Sequence, residues 1–113
     1  MDQLQKRIET LEYHQQLLVR MLKHSDEQLY YLIIVNNLSK QETDSLLTAC
    51  ETLSKKMQKQ KAEGYVTFYP LLNELKSHLP KSISPHELVD ACLTQGVYVA
   101  LMRSMKELLE EED

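Results

Sequence analysis

Glycine and proline are scarce in this chain: two of the first and three of the second in 113 residues, and neither between Met1 and Glu63. Strand-rich folds need frequent turn punctuation, so this scarcity favours long helices. Two isolated glycines also exclude a GxGxxG or GxxxxGK[ST] phosphate cradle, and no GxSxG elbow is present. Long apolar runs are missing too. The longest, Leu29 to Val35, is far short of the roughly 18 residues of a membrane span. The opening "MDQLQKRIE" lacks the apolar stretch of a secretory signal, so the expected location is cytoplasmic, with no membrane partner. Positive charge is not in excess either. The net charge of -4 is opposite in sign to that of a usual duplex-binding domain.

Catalytic and metal signatures are equally sparse. Cys50 and Cys92 lack CxxC spacing and sit among apolar residues, which predicts buried free thiols rather than a disulfide or redox pair. His14, His24, His78 and His86 form no HxxxH or ExxH pattern, so no metal site and no cofactor are expected. No spacing holds polar groups together in the way catalysis needs, and the protein is not expected to be an enzyme.

What remains is helical patterning. An apolar fraction of 42% and a charged fraction of 27% suit one globular domain over residues 1–113, at a length that can bury about two-thirds of its unfolded surface. Leu4, Ile8, Leu11, Leu18 and Leu22 follow a heptad seam, with Gln15 in the missing position. With Ile8, Gln15 and Leu22 at a, and Leu4, Leu11 and Leu18 at d, Arg7 falls at g and Glu12 at e. In a parallel pair Arg7 meets Glu12 of the other chain. These eight residues form the predicted oligomer interface of a homodimer or homotrimer, and Gln15 would set register at some cost in stability.

Three S-x-x-[EQ] capping boxes mark helix starts. "SDEQ" at 25–28 predicts a second helix from Asp26 to about Asn37, after a kink or short break, although the heptad register runs on through Leu29 and Leu32. Whether residues 2–37 are one helix or two stays open. "LYYLIIV" is apolar around most of its circumference, as in a helix central to a core or covered by a partner. "SKQE" at 39–42 opens a helix with Leu46, Leu47, Cys50, Leu53 and Met57 on one face, ending at a left-handed Gly64. An aromatic connector, "YVTFYP", leads to a short helix through Leu71, Leu72, Leu75 and Leu79 that stops before Pro80. "SPHE" at 84–87 starts the next, with Ile83 and Leu88 as a hydrophobic staple, and a last helix runs from Val97 towards Glu110.

The fold class is therefore all-α: a compact multihelical domain of five or six helices, with a heptad-bearing first helix and a helix-turn-helix-like hairpin at the C-terminal end. That hairpin makes a poor DNA reader, because its second helix runs into Glu107, Glu110, Glu111, Glu112 and Asp113, which would face phosphates. The acidic end, 107–113, is expected to fray.

As a whole the chain resembles the YhaI-like family of small uncharacterised proteins from Bacillus and relatives. The stretches that carry the likeness are "MDQLQKRIETLEYHQQLL", "YYLIIVNNLSKQE", "EGYVTFYPLL" and "SPHELVDACLTQGVYVALM". The resemblance implies a helical, cytoplasmic, oligomeric protein without an assigned activity, and it carries over no functional residues. The expected function is a homo-oligomeric protein-interaction or regulatory module, able to take a further protein partner. Two other readings compete: a nucleic-acid-binding regulator using Lys55 to Lys61 with Arg103, and a small-ligand-binding protein or enzyme with a pocket near Tyr65, Phe68 and Tyr69.

Overall fold

A computed structural model describes residues 2–112. Six α-helices follow in order: α1 (Asp2–Lys23), α2 (Gln28–Val35), α3 (Lys40–Ala62), α4 (Tyr69–His78), α5 (Pro85–Gln95) and α6 (Val99–Glu112). No strand occurs among the described residues. The all-α, six-helix architecture matches the sequence pattern. No described helix is long and apolar enough to cross a membrane.

The helices start and stop where local chemistry directs. Ser39 caps α3 by accepting from the Glu42 amide at 3.1 Å, while the Glu42 carboxylate accepts from the Ser39 amide at 2.9 Å. The backbone contact holds the Glu42 carboxyl below its ordinary range. Ser84 and Glu87 repeat the arrangement on α5, with Pro85 in the first turn. Gly64 and Gly96 take the left-handed φ values, 90° and 78°, that close the ends of α3 and α5. α6 begins two residues later than the sequence suggested, because Tyr98 itself adopts a positive φ of 50°.

The "SDEQ" box does not form. α1 and α2 are separate helices, and the α2 N-cap, Glu27, has no side-chain cap bond. Ser25 Oγ donates to the Leu22 carbonyl at 2.8 Å, and the Gln28 amide donates to the carbonyls of Leu22, Lys23 and Ser25. These residues close the end of α1 instead of opening α2. The α2 start is satisfied from a distance: Gln95 Oε1, at the end of α5, accepts from the amides of Leu29 at 2.9 Å and Tyr30 at 3.3 Å.

The core lies among α2 to α6. α5 packs on α2 and α6, α3 on α4 and α6, and α4 on α6. Leu46, Leu53 and Met57 of α3, Leu72 and Leu75 of α4, Leu88 and Cys92 of α5 and Leu101, Met102 and Met105 of α6 are all buried there. Ile83 and Leu88 are buried together in one cluster, and Phe68 and Tyr69 pack on its edge. Residues 107–112, expected to fray, are helical and docked. Leu109 is buried, Tyr69 donates to Glu111 at 3.2 Å, and Lys76 pairs with Glu112 at 3.0 Å. Asp113 lies outside the described residues. The α5–α6 hairpin is a packing unit, since its second helix turns Leu101, Met102, Met105 and Leu109 into the core.

Candidate interaction surface

α1 stands apart from this core. It is 22 residues long and buries none of them. Its main neighbour is α2, and the molecule extends 62 Å along its longest axis against 26 and 23 Å across. α1 and α2 border one shallow groove, lined by Glu12, Gln15, Gln16, Val19 and Arg20 from α1 and by Ile34, Val35 and Asn37. The side of α1 turned to its own chain is thus the e side of the heptad, with Glu12 and Val19, and not the leucine seam.

The eight residues of the predicted interface share this helix. Leu4, Leu11 and Leu18, at d, are 56%, 63% and 56% exposed, and Ile8 at a is nearly half exposed. Gln15, Arg7 and Glu12 are exposed, and Leu22, beside the turn, is half-buried. The single chain therefore leaves the a/d ribbon open to solvent from Leu4 to Leu18. The seam alone understates the apolar surface. Tyr13, Leu17 and Met21 are exposed as well, as are Tyr30 and Val35 of α2. The row Tyr13, Leu17, Met21 has i, i+4 spacing and is visible in the sequence once a second stripe is sought beside the heptad.

The groups of the competing readings are dispersed. Lys55 pairs with Glu51 at 3.7 Å and Lys56 with Glu74 at 3.0 Å, while Lys61 lies 5.9 Å from the Phe68 ring centre. Part of the basic run is thus neutralised by its own chain. Arg103 is exposed on α6, and Lys106 lies 3.7 Å from Asp90. In the connector, Tyr65 and Val66 point outward and Phe68 and Tyr69 inward. The ring residues therefore split between surface and core edge. A groove does lie between α3 and α4, bordered by Ser45, Thr48, Thr52, Glu74 and His78, away from the connector's tyrosines.

Cys50 and Cys92 are both buried and free. Burial pushes the Cys50 thiol up to about 11 and the Cys92 thiol up to about 12, so neither is a nucleophile near neutral pH. Among the described residues, no three His, Cys, Asp or Glu side chains gather where they could hold a metal ion. The chemistry that α1 and α2 offer is apolar contact with flanking charge. A family model described as "Protein of unknown function (DUF1878)" matches residues 1–110.

Proposed function

The chain belongs to the DUF1878 family, and we propose that it is a homo-oligomeric protein-interaction or regulatory module, assembled through α1 and without catalytic activity. Within the family we group it with the YhaI-like proteins of Bacillus and relatives, on the stretches quoted above, and assign it to the cytoplasm.

One observation carries this reading: a 22-residue helix that buries no residue yet presents a leucine seam to solvent. Isolated helices are marginal in water, and most helical stability in proteins comes from packing of an amphipathic face. A contiguous exposed apolar surface of this kind marks an interaction site. α2 adds to it, because its sequence, QLYYLIIV, is apolar on both its inner and outer sides.

Light scattering on a size-exclusion column tests the proposal. The expected mass is a multiple of 13.2 kDa, and Leu11→Asp lowers it. A wild-type monomer at micromolar concentration, or an assembly indifferent to Leu11→Asp, refutes the role of α1.

A further inference from the structure

Resting on that assembly, we infer that α1 pairs with α1 of a second copy in parallel and in register, so that α2 of each copy covers the Leu17 and Met21 flank of the other.

Three features of the chain select this orientation over the antiparallel one. The first is charge. In a parallel pair the g residue of one helix faces the e residue of the next heptad of the other. Arg7 at g then faces Glu12 at e of the second copy, twice by symmetry. In an antiparallel pair with Leu4 opposite Leu22, e faces e, and each Glu12 meets the other Glu12. The second is Gln15, at a. In parallel register the two Gln15 amides face each other and can exchange hydrogen bonds. Antiparallel register sets each amide against Leu11 of the other copy, with no partner for it.

The third feature comes from the fold. α2 lies on the e side of α1, beside Glu12 and Val19, and its Ile34, Val35 and the following Asn37 border residues 12–20. Because e of one helix neighbours g of the other in a parallel pair, α2 of each copy comes to the g flank of its partner at that same level. There the flank carries Met21 at g and Leu17 next to it at c, both exposed in the single chain, with the exposed His14 at the preceding g position. Nearer the N-terminus, beyond the reach of α2, the flank is Gln3, Arg7 and Thr10. The apolar side chains of this flank, Leu17 and Met21, thus lie towards the end of α1 that the second α2 reaches, past His14, while the start of the flank is polar throughout. In the antiparallel arrangement both α2 helices fall on one side of the seam, level with residues 6–14 of the opposite chain. Leu17 and Met21 stay uncovered.

Disulfide trapping decides the orientation. Leu4→Cys, at an exposed d position near the start of α1, is placed opposite itself only in parallel register. In the antiparallel pair two such cysteines stand roughly 27 Å apart, at 1.5 Å rise per residue, and Leu4→Cys faces Leu22→Cys instead. The variants are incubated in a glutathione redox buffer, separately and as a mixture in which the Leu22→Cys chain carries an affinity tag. Native Cys50 and Cys92 are buried, and the wild type serves as the blank. The expected result is a covalent Leu4→Cys homodimer on a non-reducing gel, with no tagged–untagged product in the mixture. A tagged–untagged product alone, or no product from any sample while the wild type runs as an assembly, overturns the parallel register and leaves the assembly standing. A wild-type mass of 13.2 kDa in light scattering overturns both.

Discussion

α1 and α3 are nearly the same length, 22 and 23 residues, and both carry an apolar stripe at helical spacing. α3 buries Leu46, Ala49, Cys50, Leu53 and Met57, whereas α1 buries nothing. Spacing does not separate them, since Leu46, Cys50, Leu53 and Met57 step by 4, 3 and 4 as the α1 seam does; the difference lies in what covers the stripe. The α3 residues belong to a face that α4 and α6 cover from within the chain. The α1 seam is covered by no described helix of the chain and stays exposed from Leu4 to Leu18. Similar helices can thus report on different things: α3 on how the chain folds, α1 on the surface that the chain leaves open.

The sharpest way to break this contrast is to shorten a leucine on each helix. Leu53→Ala, in the core, is expected to cost about 2–5 kcal/mol of unfolding free energy in urea denaturation, from lost burial plus the cavity left behind. Leu11→Ala removes the same atoms from an exposed site. At a concentration where the chain is monomeric it should shift stability by no more than about 0.5 kcal/mol, its effect appearing in association. Equal losses from both variants in the monomer would mean that the contrast between the helices is mistaken.

The buried thiols offer a second test of the core alone. Their folded values, about 11 and 12, lie above the ordinary 9.0. The unfolded chain therefore gives up its thiol protons first as pH rises. The stability due to the protonated thiols is complete below pH 9 and is lost progressively as pH climbs towards 11 and 12. Tyr98, also raised mainly by burial, adds in the same direction. Cys92→Ala should flatten the decline in unfolding free energy above pH 9, and an unchanged slope would assign the decline to other groups.

The smallest expected effect sits where the two regions join. Gln95→Leu removes the oxygen that accepts from the Leu29 and Tyr30 amides. It is expected to cost about 1 kcal/mol, as loss of a helix cap does, and to loosen α2 before α3 to α6. Hydrogen exchange checks this, through faster exchange of the Leu29 and Tyr30 amides with the α3 amides unchanged.

The capping boxes show how far local sequence reaches. "SKQE" and "SPHE" form as written, and in both the fourth residue is a glutamate, which when ionised can only accept. "SDEQ" ends in glutamine, whose amide also donates, and it follows directly on a helix end whose last carbonyls lack partners. Gln28 gives its protons to those carbonyls, and α2 takes its cap from Gln95, 66 residues from Leu29. Residues 107–112, whose run of acids suggests fraying, are helical for a similar reason. Their acids repel one another as text, but Tyr69 and Lys76 meet Glu111 and Glu112 in the fold. The heptad seam was legible in full. The Leu17 and Met21 flank gained meaning only when α2 was seen on the opposite side of α1.

The amino-acid sequence by itself determined the helical class, both glycine stops, two of the three helix starts and the leucine ribbon, because each depends on side chains within a few residues of one another. Only the tertiary structure decided that α1 and α2 part at Ser25, that Gln95 closes the gap, and that the ribbon faces away from the core. Those outcomes depend on which distant groups arrive beside a helix end or a helix face, and chain packing sets that arrival.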